Sequence, residues 1–366
     1  MSDTNPQTDL NKNTSEINSH LKTSQFRAFF ADQILIWVLL WLYNNFPFYI
    51  NFLSEIHYGV AARDVLLGMG FLHLFLMWPL YFIDKRAISY GTVLGRVLVR
   101  LFLGAKKMLG SNPPGYYEAK EHGYFITKEE KTSLLALLVK VIFVPIIIVF
   151  TMGNFQLVQD LLAKIDISTA SFSVSYFNDT LFILILRIMF LVDTLCFLVG
   201  YLIELDVLGN KIKSVESTWF GWFVALACYP PFNSVTGQYL PSYSNDLAYF
   251  WNDNLTALMR VLILILFGIY TWASIALGTK ASNLTNRGII SHGPYKYVRH
   301  PAYIGKTSVW FLTALPVANF FVMFSTLAVM GLYFLRAFTE ERHLLQDPEY
   351  VEYCKKVKYR FIPYVI

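Results

Sequence analysis

The sequence predicts an all-α polytopic membrane protein of about eight transmembrane helices, the last two forming a tight hairpin. Three observations carry that expectation. The 366 residues are 55% hydrophobic and 15% charged, whereas soluble domains run at about 25% charged. Apolar runs long enough to cross a bilayer recur along the chain. Lys and Arg alternate between successive loops, as they do when a chain crosses repeatedly. A mean hydropathy of +0.44 and 31 Phe, 23 Tyr and 8 Trp suit lipid-facing surfaces and interfacial belts. These features exclude a cytosolic dinucleotide-binding enzyme, a secreted disulfide scaffold and a disordered protein. A net charge of +5 gives no reason to expect nucleic acid as a partner. Cys196, Cys228 and Cys354 suggest no disulfide framework.

Along the chain, residues 1–25 are polar and lack the apolar core of a signal peptide, so a disordered lead-in is expected. Candidate spans follow at 34–53, 65–83, 134–152, 181–204, 218–232, 256–278, 303–316 and 319–337. Only Val317 and Ala318 separate the last two, after Pro316. Residues 26–254 form an N-terminal transmembrane region and 255–366 a separate C-terminal core. The segment 84–132 carries nine Lys and Arg, and the loops 205–217 and 279–302 and the tail after 337 are also basic. The intervening loops hold only Arg63 and Lys164. That alternation places both termini in the cytoplasm. Segment 92–109 has Val93, Leu94, Val97, Leu98, Leu101 and Phe102 on one face and Arg96, Arg100, Lys106 and Lys107 beside them. It reads as a basic amphipathic surface helix or as one packed on the mouth of the bundle.

Charges inside spans are costly. Lys140 and Arg260 lie near span ends, where long side chains snorkel to the interface. Arg187 and Asp193 are too far apart around one helix to pair, so partners on other helices or a polar cavity are expected. His73 reads as a hydrogen-bonded packing residue. Cys228-Tyr-Pro-Pro-Phe232 ends a span, because tandem prolines cannot continue a helix; the break either just ends the helix or opens a cavity wall. Gly68-Met-Gly70 follows no strand and is no nucleotide loop. No metal is expected, since no cluster has ligand spacing.

The chemistry-bearing stretch is 287–306, Arg-Gly-Ile-Ile-Ser-His-Gly-Pro-Tyr-Lys-Tyr-Val-Arg-His-Pro-Ala-Tyr-Ile-Gly-Lys. Gly288, Gly293 and Gly305 permit close backbone approach. Arg299 can fork to a carboxylate, and Tyr295, Tyr297 and Tyr303 offer faces for a ring or a cation. Beyond the hairpin, Arg336 and Glu340 are i,i+4 on one helix, with Glu341 adjacent. As a surface pair they would contribute only ~0.3–0.5 kcal/mol. Two neighbouring carboxylates beside the membrane make better sense against a cationic ligand.

These residues carry a resemblance. Gly293-Pro294-Tyr295, Arg299-His300-Pro301-Ala302-Tyr303 and Glu340-Glu341 resemble the membrane methyltransferases typified by isoprenylcysteine carboxyl methyltransferase, a superfamily that includes phospholipid methyltransferases. The tail Asp347-Pro-Glu-Tyr350 to Pro363 is similar as well. The resemblance covers about residues 255–366. It implies that Ile289, Ile290, Tyr295, His300, Pro301, Tyr303 and Glu340 hold S-adenosylmethionine, with Arg299 in the same donor-binding set and Ala302 contributing its backbone alone. It implies that Arg336 positions the acceptor's carboxylate. If the acceptor is an amine that must lose a proton, Glu341 or His300 is the candidate base.

Methyl transfer asks the protein chiefly to position and desolvate, since the donor brings the reactivity. A lipid or lipidated acceptor arrives from the bilayer and a soluble donor from the cytoplasm, which puts the pocket at the cytoplasmic interface. The membrane is the plasma membrane in a bacterium and the endoplasmic reticulum in a eukaryote. The tail also resembles sterol reductases, which use NADPH, but Arg-His-Pro-Ala-Tyr and Glu340-Glu341 depart from that pattern. A non-catalytic membrane scaffold is the third reading. The charge alternation makes a direct prediction: reporters fused at 165 and 245 face outward, and those at 110, 290 and the C-terminus face inward. A cytoplasmic signal at 245 overturns this topology.

Overall fold

In a bilayer every backbone N–H and C=O must be satisfied within the protein, so an apolar run of this length folds as helix. The computed structural model describes residues 6–57, 59–83, 89–109, 125–165, 173–241, 243–363 and 365. Five of its helical stretches are long and apolar enough to cross a membrane: 25–45, 128–164, 174–202, 253–280 and 320–344. The molecule is an all-α, polytopic integral membrane protein. Two compact units share the chain, one built from 1–54, 63–138 and 205–207, the other from 55–62, 139–204 and 208–366. The C-terminal region from 255 onward thus folds in one body with 139–204 and 208–254.

In the first unit, α1 (Pro6–Asn45) carries helix through much of the segment expected to lack order; its membrane-length apolar part begins at Gln25. The expected span 65–83 is instead α2 (Ala62–Leu76), a turn at Pro79, and the short helix Leu80–Ile83. His73 is hydrogen-bonded to Gln33, stacks on Phe29 at 5.9 Å and lies 3.4 Å from the Tyr81 hydroxyl. It is the packing histidine expected. The amphipathic segment is α3 (Tyr90–Met108), capped by Ser89, whose hydroxyl accepts from Thr92 N at 3.1 Å. Val97 is buried, while Leu98, Leu101 and Phe102 are exposed.

Helix α4 (Lys128–Lys164) opens the way to the second unit. Its Lys140 does not snorkel: Glu204 pairs with it at 2.7 Å. Next come α5 (Phe182–Leu202), the short α6 (Trp219–Leu226) and α7 (Phe232–Tyr239) on either side of Pro230-Pro231, and α8 (Asp253–Leu277), capped by Asn252. Within the expected span 218–232 only α6 is helical; it ends before the prolines, and α7 begins where the span was expected to end. The closing pair is α9 (Pro301–Ala314) and α10 (Phe320–Leu344), capped by Asn319, joined through the single turn Leu315–Val317. This is the expected hairpin, though α9 has only 14 residues. Helix α11 (Pro348–Lys356) follows.

The core of this unit is Phe182, Leu186, Phe250, Ile263, Phe267 and Val309, from α5, α8, α9 and the loop before α8. Leu258 and Ile265 of α8 and Phe324 and Leu327 of α10 stay exposed, as lipid-facing positions do. Charges within the helices are answered by neighbours. Asp193 on α5 accepts from Tyr270 Oη at 2.7 Å and from Ser274 Oγ, both on α8. Arg260, expected to snorkel, is 6% exposed and donates to the carbonyls of Asn178 and Leu247. A buried guanidinium is tolerable here because main-chain acceptors replace water.

Gly305 sets how closely α9 meets α8. A Cβ there would lie 2.7 Å from the carbonyl oxygen of Leu266 and 3.0 Å from the nitrogen of Tyr270. Backbone cannot give way as a side-chain tip can. Gly305→Val is therefore expected to destabilise the fold by at least ~1–3 kcal/mol, the usual cost of overpacking, read as a lowered unfolding temperature in detergent. An unchanged melting curve would contradict the close approach.

Candidate active site

Three pieces of chain converge in the second unit: the loop 281–300 after α8, the first turns of α9 and the last turns of α10. A two-residue antiparallel ladder, Ser214 opposite Asn286 and Val215 opposite Thr285, ties in the loop before α6. Together they line a pocket of about 200 Å³. Gly288, at φ +100°, and Gly293, at φ +60°, let the loop turn where other residues would be strained. The carboxamide of Asn286 fastens the turn: its Oδ1 accepts from Gly288 N and its Nδ2 donates to Asp347, both at 2.8 Å. Burial opposes ionisation of Asp347, yet its carboxyl is held below the ordinary range by Asn286, the Glu349 N–H and Lys213.

Adjacent residues on a helix diverge by about 100°, and Glu340 and Glu341 consequently do different things. Glu340 faces the pocket, with 29% of its side chain exposed. It accepts from the Tyr303 hydroxyl and, at 3.2 Å, from Arg336 Nε. Arg336 is 6% exposed and also donates to Asn283 Oδ1. Its guanidinium lies 5.5–5.9 Å from the rings of Tyr229, Tyr303 and Tyr333. The i,i+4 pair is thus a buried element of the pocket wall rather than a surface ion pair.

Glu341 turns the other way and is 4% exposed. Arg299 Nε and Arg360 Nε each donate to it at 2.7 Å, and His300 Nε2 lies at 3.2 Å. Arg299 also donates to the carbonyls of Val357 and Lys358 at 3.0 Å. The main-chain N–H groups of Arg299 and His300 donate to Tyr359 O and Arg360 O at 3.0 and 2.8 Å. The motif therefore stitches the tail to the start of α9. Burial alone would lower the Arg299 pKa; its hydrogen bond to Glu341 more than offsets this and raises it.

Of the residues picked from sequence, Ile289, Ile290, Tyr295, Arg299, His300, Ala302, Tyr303, Arg336 and Glu340 all line the pocket. Pro301 is buried as the first residue of α9. Glu341 lies in the ion cluster behind Arg299 and His300. Tyr297 is 60% exposed and outside the lining. Burial raises the Tyr295 pKa, and the negative charge of Glu340 adds to it. Asn283 and His343 also line the pocket and were not singled out from sequence; Lys306, the last residue of the stretch 287–306, lines it as well. Tyr229 does too, and its place at the Pro230-Pro231 break was a signal for it. Glu216 is a further wall residue. Burial works against its ionisation, yet its carboxyl is held low by the Thr218 hydroxyl and N–H and by Arg342. Among the described residues no group of three or more His, Cys, Asp or Glu is arranged to hold a metal.

Residues 254–347 match the family model for phospholipid methyltransferase. The match runs from the start of α8 to just past α10, so it takes in the glycine turns, the Arg299–Tyr303 segment and both carboxylates. The C-terminal region is thus similar to membrane methyltransferases of that family. Comparison of the whole chain with curated proteins gives no match.

The geometry of Glu341 makes a prediction. Glu341→Gln leaves two guanidiniums without a counter-charge, one of them nearly buried. Breaking a buried ion pair costs about 3–5 kcal/mol, and the part-exposed Arg360 places the expected loss at or below the lower end. The measurement is the unfolding temperature of the variant. A loss of turnover with stability unchanged would instead mark Glu341 as a participant in the chemistry.

Proposed function

We propose that the protein is an S-adenosylmethionine-dependent methyltransferase acting at the cytoplasmic membrane interface on a lipid or lipidated acceptor. The observation that carries this reading is the Tyr303–Glu340–Arg336 constellation on the pocket wall, inside the segment matching phospholipid methyltransferase.

The residues present fit such a donor. A partly open carboxylate, Glu340, with the tyrosines 295 and 303 beside it, suits a cationic group. Ile289 and Ile290 give an apolar strip, and the glycine turns bring main-chain groups close. When bound, the donor supplies a methyl group on a positively charged sulfur. Glu340 holds positive charge at the pocket mouth, and the Tyr303 hydroxyl fixes the carboxylate by hydrogen bonding to it. Arg336, pinned by Asn283 and Glu340, presents a fork suited to an anionic oxygen. A carboxylate or thiolate acceptor needs no base. For an amine, His300 is better placed than Glu341, whose oxygens are taken up by three donors.

The test is donor binding by purified protein in detergent. S-adenosylmethionine is expected to bind without competition from NADPH. Glu340→Gln and Tyr303→Phe should each weaken binding about tenfold or more, since a hydrogen bond to a charged group contributes about 1.5–3 kcal/mol. Unchanged affinity in both variants, or binding of NADPH in place of the methyl donor, overturns the reading.

A further inference from the structure

Lys306 lies three residues past Tyr303 on α9, so both side chains lie on one helix face. It lines the pocket, and none of the hydrogen bonds or ion pairs of the described residues involves its ammonium. Its Nζ instead sits among aromatic faces, 5.3 Å from the ring centroids of Trp310 and Tyr333 and 5.7 Å from that of Tyr270. Cation–π contacts compensate only part of the cost of removing an ammonium from water. Asp246 interacts with Lys306 and Arg187 through space, without a hydrogen bond to either, and the other carboxylates near Lys306 are engaged elsewhere. Asp193 is held by Tyr270 and Ser274, with the Tyr270 ring facing Lys306 and its hydroxyl facing Asp193. Glu340 is held by Tyr303 and Arg336.

Position along the helices says which end of the pocket this is. Helix α9 runs away from the loop and α10 runs back toward it. Lys306 is one turn beyond Tyr303, and Arg336 one turn before Glu340. Both cations therefore lie on the bilayer side of the Tyr303–Glu340 contact, and Tyr333 touches both, at 5.3 and 5.9 Å. Two positive groups at that level repel a cationic sulfonium and attract an anion.

We propose that Lys306 binds an anionic group, a phosphate or a carboxylate, on the methyl acceptor, with Arg336 across Tyr333 as the second cation of the seat. The proposal rests on the methyltransferase reading above. It extends that reading from the donor to the chemical class of the acceptor, and to a residue outside the donor motif.

The experiment uses full-length protein in detergent, methyl-labelled S-adenosylmethionine and a total membrane lipid and lipoprotein extract as acceptor source. Lys306→Met keeps the stem and removes the charge; Lys306→Arg keeps the charge. For Lys306→Met the amount of extract giving half-maximal labelling should rise tenfold or more, while the dissociation constant for S-adenosylmethionine stays within twofold. Lys306→Arg should recover most of the loss. Retained donor binding shows that the variant is folded. Label released by base as methanol identifies a carboxylate; base-stable label in a phospholipid identifies a phosphate-bearing acceptor. Unchanged extract dependence in Lys306→Met, donor affinity falling in step with labelling, or an acceptor with neither anionic group overturns the proposal. Failure of the wild-type protein to bind the methyl donor overturns the methyltransferase reading itself.

Discussion

The ion cluster around Glu341 is the interaction on which the rest of the pocket depends. One buried carboxylate takes hydrogen bonds from the start of α9, through Arg299 and His300, and from the tail, through Arg360. It thereby fixes the loop end of α10 against the loop end of α9. Only with those ends locked does Glu340, one residue earlier, meet Tyr303. The energetic logic is that of any buried charge: an uncompensated carboxylate is costly, so its partners are held tightly and the geometry tolerates little slack. The neighbour is left freer, with part of its side chain open to the pocket. One residue holds the architecture and its neighbour faces the pocket.

The wall is not built from the family-matched segment alone. Glu216, Gly221, Ala225 and Tyr229 line the same pocket and precede residue 254, where the match begins. The ladder between 214–215 and 285–286 joins the two parts. Gly221 shows how tight the fit is, since a Cβ there would lie 2.5–2.9 Å from the side-chain atoms of Glu216. Residues outside the matched segment thus help to shape the pocket.

Much of this was legible in the sequence because the signals are local. Apolar run length gave the long helices, the i,i+4 spacing placed Arg336 beside Glu340, and the motif picked out nine residues that converge on one pocket. What escaped was long-range. Nothing in the run 218–232 shows that its helix stops at Leu226 and that a second short helix follows the prolines. Lys140 and Arg260 look like interfacial residues until Glu204 and the carbonyls of Asn178 and Leu247 arrive from distant segments. Glu340 and Glu341 read as a matched pair, and only the helix twist separates them. Lys306 closes the stretch 287–306, but its surroundings are not legible there, because its aromatic cage comes from α8 and α10 as well as its own helix.

Helix α9 has 14 residues and so rises about 21 Å, against a hydrocarbon core of about 30 Å. A helix that short crosses only where the turn after it, flanking protein or a locally thinned bilayer makes up the difference. This helix carries Tyr303 and Lys306, so the height of the pocket relative to the phosphate layer is coupled to bilayer thickness. A thicker bilayer would widen that difference and a thinner one would narrow it. Lipid composition then acts as a variable of the protein's performance, independent of how much of any one ligand the membrane contains.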